Sequence, residues 1–282
     1  MNRHRFGALL ALAVLFGAFS HAPKALAAAE VHRMNLVISA NPSQINGGGM
    51  NDLLDRYNEY PLSRSTAPHE PLEKITMGWM FDTEVRYFAR PNFAVCAGVG
   101  YLKSETKREY LPGIGMDINV RGQVLTVPIH VGGLYYLAPY TQGDFQARAY
   151  IGGGLLSLAG SRAIFEVSEA GLIANGDTLD SNNLSLGGSS KLTARGDGPG
   201  FYLEAGAHLF FAARYSLMIG AVYRSAKLRT VSNTGGIVVP DDLPRNPHLK
   251  MPLLERDGVN PVRIHYLDLS GVGVKMAVGI GL

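Results

Sequence analysis

Glu204, His208 and His130 are the residues of this chain whose types could do covalent chemistry, since a carboxylate can orient an imidazole that then takes a proton from a serine hydroxyl. Glu204 and His208 stand four apart in "FYLEAGAHLFF", two same-side positions along an extended chain, and His130 shares their parity. A serine at matching spacing is lacking. The nearest later cluster, His265 and Ser270 in "HYLDLSG", does not supply the spacing of a lipid-cleaving triad. Glu204, His208 and Arg148 therefore read as ion-pairing groups, and no catalytic residue is expected.

The remaining motifs are weaker. "GGG" at 47–49 and at 152–154 lacks the strand, loop and helix context and the Lys-Ser/Thr that a phosphate loop needs. Asp177, Asp180 and Asn182 in "NGDTLDSNN" miss the spacing of a calcium loop. Arg195-Gly196-Asp197 falls in a predicted outer loop, where a chance tripeptide is the plainer reading. Cys96, the one cysteine, excludes an intrachain disulfide and a cysteine-cluster metal site, and its glycine-rich surroundings suggest a small space-filler. No cofactor and no metal are expected.

A different chemistry is written into "ITMGWMFDTEVRYF", residues 75–88. Ile75, Met77, Trp79, Phe81, Val85 and Tyr87 share one parity, and Asp82, Glu84 and Arg86 share the other. A strand of this kind has one apolar and one charged face. In a soluble sheet the charges meet water; in a membrane barrel they line the interior. Inward parity elsewhere adds Arg148, Glu204, His208, Arg224 and Lys275, so the eight expected lumen residues hold four cations, three carboxylates and a histidine. Such a row is intolerable against lipid and can neutralise itself across a lumen. The small inward residues Ala94, Cys96, Gly98 and Gly100, with Gly152, Gly154, Gly271, Gly273, Gly279 and Gly281, would make room for it.

The elements that must hold these residues follow a leader. Arg3, His4 and Arg5 precede an apolar run of about 14 residues and small residues at Ala25, Ala27, Ala28 and Ala29, the pattern of a secretory signal peptide, residues 1–27, with cleavage after Ala27 or Ala29. That run is short of the roughly 20 residues a helix needs to span a bilayer, and no later apolar run reaches that length. The net charge of +3 includes Arg3, Arg5 and Lys24, so the exported chain is near neutral and no nucleic-acid partner is expected. Without a linker or composition shift, residues 30–282 read as one domain.

Period-2 runs give eight strands: 33–41, two within 75–102 split at Arg90-Pro91-Asn92, then about 123–137, 145–155, 201–211, 215–224 and 268–282. Their connections alternate strictly between long and short. Long loops at one end and tight turns at the other predict an all-β, eight-stranded antiparallel transmembrane barrel with periplasmic turns, extracellular loops and both termini in the periplasm. One helical signal, "NDLLDRYNEY" at 51–60, falls in the first long loop, as a lid over the mouth or a segment folded on the rim.

These residues carry a family likeness. "VPIHVGGLYYLAPYTQGDFQARAYIGGGLL" (127–156) and "GFYLEAGAHLFFAARYSLMIGAVYRSAKL" (200–228) resemble the hairpins of small OmpW-like and OmpA-like outer-membrane barrels, and "LDLSGVGVKMAVGIGL" is similar to their closing strand. One departure is Leu282, where an aromatic residue is usual. The resemblance implies a passive barrel of the Gram-negative outer membrane: a channel for small hydrophobic solutes in one branch, a structural or adhesive surface protein in the other. Lipid and lipopolysaccharide would be partners, as would the assembly machinery that reads the last strand. Two other classes stay open: an outer-membrane enzyme acting on lipid A or phospholipid, and a soluble lipocalin-like barrel with its apolar parity turned inward.

Overall fold

The computed structural model describes residues 32–59, 71–110, 116–143, 145–171, 189–211, 214–229, 231–234 and 263–282; the expected leader and the stretch 175–183 lie outside them. Alternation at period 2 builds β1 (Met34–Gln44), β2 (Met77–Arg90), β3 (Phe93–Tyr110), β4 (Met116–Tyr136), β6 (Phe145–Gly171), β7 (Ser189–Phe211), β8 (Tyr215–Leu228) and β11 (Gly271–Gly281). Each pairs antiparallel with the next, and β11 closes on β1, with Asn35 opposite Gly281 and Ser43 opposite Gly273. Eight strands thus form a closed barrel with no free edge. Short β5 (Tyr140–Gln142), β9 (Ser232–Thr234) and β10 (Leu267–Asp268) add to β6, β7 and β8.

Trp79 is 51% exposed and its neighbours in the other parity, Asp82 and Glu84, 5% and 1%. The apolar parity is outside and the charged parity inside, which overturns the lipocalin reading. Tyr87, Phe93, Tyr135, Phe211 and Tyr215 ring the exterior near the tight turns, and Trp79, Phe81, Tyr101, Phe201 and Tyr223 ring it further up, with aliphatic Val85, Val99, Ile129, Ile151, Leu203 and Val274 between. From Met77 to Tyr87 is roughly 33 Å of strand. At a tilt of about 40° that gives an apolar band about 25 Å tall, the height of an outer-membrane belt. Ile75 departs from its expected outward place: it precedes β2 and is buried.

Several strands run beyond the belt, further than alternation in the sequence indicated. β6 continues from Leu155 to Gly171 and β7 begins at Ser189 rather than near 201. In β6 the cause is a bulge. Leu158 pairs with Gly198 but Ser161 with Gly196, so β6 holds one extra residue there, and Gly160 takes φ +58° to accommodate it. The extra residue reverses the inward parity of β6 from even to odd, and a period-2 reading stops at that point. Arg195, Gly196 and Asp197 consequently lie on β7, not in a loop, and Asp197 Oδ1 accepts a hydrogen bond from Gly160 N at 2.5 Å.

Inside these extensions the wall is apolar, and α1 (Gly49–Glu59) fills it. Gly47 and Gly48, at φ +70° and +56°, turn the chain from β1 into the helix, and Asp52 in the first turn suits its positive end. Met50, Leu53, Leu54 and Tyr57 bury against Leu102, Val120, Val124, Phe165, Leu192 and Leu228, with Tyr57 edge-on to Phe165 at 5.7 Å. The incoming segment 71–76 is strapped to the same helix. Asn51 Nδ2 donates to Ile75 O at 2.9 Å and its Oδ1 accepts from Ile75 N at 2.8 Å, while Asn58 grips Leu72 in the same double way.

Candidate functional site: a charged layer inside the barrel

From the tight turn upward, β2 points Phe88, Arg86, Glu84, Asp82, Met80 and Gly78 into the lumen, so the two-residue period stacks its charges one above another. Glycines on the facing strands give them space. A Cβ at Gly98 would lie 2.6 Å from His130 Cε1, one at Gly100 3.1 Å from Asp82 Oδ1, and one at Gly132 2.5 Å from the Tyr202 hydroxyl. The small inward residues are therefore the counter-shape of the large polar ones.

Arg86, fully buried, is the centre. Its Nε donates to Glu84 Oε1, its Nη2 to Glu204 Oε1 at 3.0 Å, and its Nη1 to the Tyr136 hydroxyl at 3.0 Å. Lys275 Nζ lies 2.9 Å from Glu204 Oε2 and 3.7 Å from Glu84 Oε2, and the Tyr150 hydroxyl donates to Glu204 Oε1 at 2.7 Å. His130 adds itself through Nε2, 3.0 Å from Glu84 Oε2, and Nδ1, 3.6 Å from Asp82 Oδ1. Asp82, Glu84, Arg86, Glu204 and Lys275 are thus one cluster spanning β2, β7 and β11, with His130 of β4 as sixth member.

Arg148, His208 and Arg224 belong to the same face but not to this cluster. Arg148 donates to Gln146 Oε1 at 2.8 Å and to Pro91 O at 2.6 Å, near the tight turns. His208 sits directly opposite Arg148 on β7, stacks on Phe210 at 3.9 Å and meets the Tyr136 hydroxyl through Nδ1 at 3.2 Å. Arg224, toward α1, donates to Leu269 O at 2.7 Å and contacts Met80 Sδ at 3.4 Å. The expected eight-residue ion-pair row is corrected to a compact cluster with three outliers held by neutral groups. Parity fixes which face a residue occupies, whereas ion pairing also needs equal height in the barrel. His130, Tyr136, Tyr150 and Tyr202 were absent from the expected set; the register of His130 opposite Gly98 is the signal for the first.

Asp82, Glu84 and His130 place ligand-type atoms within 4.8 Å of one another. Each carboxylate, however, faces a different ring nitrogen, so no single lone pair converges with both, and Lys275 stands beside Glu84. The arrangement is one hydrogen bond, between His130 and Glu84, beside a longer charge contact to Asp82. His265 is exposed, and Ser270 Oγ accepts from Ala226 N at 3.0 Å. Cys96 is buried with Sγ 3.3 Å from the Tyr202 hydroxyl.

Packed side chains flank the layer on both sides. Below it pack Phe88, Leu134, Tyr136, Tyr150 and Phe210, and above it the cluster under α1. Between the charges and that upper cluster is a cavity of about 30 Å³, bordered by Asn41, Met80, Asp82, Leu156, Val222 and Arg224 among others.

No family model matches the chain, and no curated protein matches it. Among solved structures, the outer membrane protein OprG from Pseudomonas aeruginosa aligns over 90% of this chain and 98% of its own, at 13% identity and a TM-score of 0.41. The N-terminal β-barrel domain of Pseudomonas aeruginosa OprF covers 88% and 97%, at 9% identity and 0.30. The attachment invasion locus protein Ail of Yersinia pestis, in complex with a heparin analogue, covers 89% and 97%, at 12% identity and 0.32. Identity and score are low in all three, and the architecture stands on this chain's own strand pairing. A closed eight-stranded antiparallel barrel, apolar outside between two aromatic girdles and charged within, is a barrel of the outer-membrane type.

Proposed function

We propose that this protein is a sealed structural barrel of the Gram-negative outer membrane, presenting its α1-capped end at the cell surface, and neither an open pore nor an enzyme. The observation that carries this reading is the filling of the lumen at three successive heights: aromatic residues, then the Arg86 cluster, then the apolar core under α1. A cavity of about 30 Å³ is room for about one water, not for a solute path. An eight-stranded barrel is about filled by its own side chains, and these ones interlock.

Orientation follows from asymmetry. The tight turn at 91–92 and the paired ends of β7 and β8 at Phe211 and Tyr215 share one end with the start of β1 and the finish of β11, and the strand extensions with α1 share the other. Outer-membrane barrels keep short turns in the periplasm, which supports periplasmic termini. Lipid and lipopolysaccharide are the partners the outer belt suits, and β11, with Val272, Val274, Met276, Val278 and Ile280 facing out, suits recognition by the assembly machinery. A passive role is supported by the engagement of the buried acids and of His130 with one another inside a closed layer.

Liposome swelling with small sugars and with small hydrophobic solutes tests this. Swelling no faster than in protein-free vesicles is expected. Solute-dependent swelling would support the pore reading, and release of fatty acid from phospholipid or lipid A by the purified barrel would support the enzyme.

A further inference from the structure

Three residues that border the same small cavity each carry a buried side-chain atom without a hydrogen-bond partner: Asn41 Oδ1, Asp82 Oδ1 and Arg224 Nη2. Their residues are 1%, 5% and 4% exposed, so none reaches bulk solvent. In Asn41 and Arg224 the other polar atoms are already engaged. Asn41 Nδ2 donates to Ser39 Oγ at 3.2 Å, leaving the amide oxygen. Arg224 spends Nε on Leu269 O and Nη1 on Met80 Sδ, leaving Nη2. Asp82 Oδ1 stands 3.6 Å from His130 Nδ1, beyond a hydrogen bond.

We propose that this cavity is a binding site for one water molecule that joins Arg224 to Asp82 and Asn41. The cavity, about 30 Å³, is the size of one water, and a buried water needs two to four polar partners. Besides Glu84, His130, Tyr202, Glu204 and Lys275, which are engaged with one another or with other side chains, the lining offers three unpartnered atoms, two acceptors and one donor, which match the two protons and a lone pair of water. Other occupants of that size fit worse. A metal or ammonium ion would face both Arg224 and Lys275, and a halide would face the oxygens of Asp82 and Asn41. The consequence is a wider network. With the water in place Arg224 is linked to the cluster, so three carboxylates, Asp82, Glu84 and Glu204, meet three fixed cations, Arg86, Lys275 and Arg224. This inference is separate from the sealed-barrel reading, since a trapped water leaves conductance undetermined.

A crystal structure of the whole protein at a resolution that shows ordered water tests it, with anomalous maps from crystals grown with manganese and, separately, with bromide. One density peak within about 3.2 Å of all three atoms, without anomalous signal, is expected. An anomalous peak among Asp82, Glu84 and His130 or beside Arg224, or a direct Asp82–Arg224 contact with no peak, would overturn it. Arg224→Met, which keeps bulk and removes the donor, gives a second reading: the barrel folds and the peak weakens or disappears. An unchanged peak in that variant would show that Arg224 does not hold it.

Discussion

Arg86 and Glu204, 118 residues apart in sequence, meet across the lumen with Nη2 3.0 Å from Oε1, and neither side chain is exposed by more than a few per cent. Each also serves a second partner of opposite charge, Glu84 for Arg86 and Lys275 for Glu204, so the pair is the middle of a chain rather than an isolated bridge. Two charges taken out of water are tolerable together and costly alone.

Glu84 touches three cationic or proton-bearing groups, Arg86, Lys275 and His130, and is the most sensitive member. Glu84→Ala is expected to lower the stability of the folded barrel by about 3–5 kcal/mol, the range for breaking a buried pair. Heat-modifiable migration on a gel, followed against temperature, measures it. Arg148→Met should cost less, because Arg148 has a side-chain amide and a carbonyl as partners and leaves no carboxylate behind. Equal losses for the two variants would show that the cluster is not a unit.

Gly98 is fixed by its neighbours rather than by its backbone angles. A methyl group there would press on His130 at 2.6 Å and on Thr83 O at 2.7 Å, the second being backbone that cannot swing away. Gly98→Ala is expected to cost about 1–3 kcal/mol as overpacking, and a His130→Ala background should recover part of it. No recovery in the double variant would place the whole effect on the Thr83 carbonyl.

Asn51 joins α1 to the segment entering β2 through both amide atoms, with a further bond to Asn46 O at 2.8 Å. Asn51→Ala removes these and strands the buried Ile75 backbone groups, a loss of about 1–3 kcal/mol. Faster proteolysis within 45–76 on intact cells is the expected outcome, with conductance unchanged because the charged layer lies beneath. Opening of a current on this substitution would make α1 the seal.

Lys74, at the exposed rim, donates to Asp55 Oδ2 at 2.7 Å, and this bond raises its pKa. A cation whose folded pKa is raised adds stability that is present below its ordinary pKa and lost as pH climbs through the raised one. The loss should be small and weakened further by salt. Protease protection of segment 71–76 should therefore fall only in strong alkali, and Lys74→Met should abolish that step.

How much of this was legible in the sequence depended on what each signal measures. Parity in 75–88 told which face Asp82, Glu84 and Arg86 occupy, and the alternation of long and short connections gave the barrel. Height was not legible. Arg148 and Glu204 share an inward face, yet their levels follow from register around the closed sheet, which local pattern does not carry. The extra residue at Gly160 hid the upper half of β6, because one inserted residue exchanges inside and outside, whereas β7 keeps even inward parity from Leu192 to His208. The apolar interior above the belt was missed for the same reason: Phe165 and Val167 keep odd parity where the strand below keeps even.

Single-channel recording of the purified protein in planar bilayers tests the central claim most directly. A barrel closed by the Arg86 cluster should insert without steady current, and Glu84→Ala should bring flicker or a small conductance. A stable, ohmic conductance in the unaltered protein, insensitive to that substitution, would contradict the account.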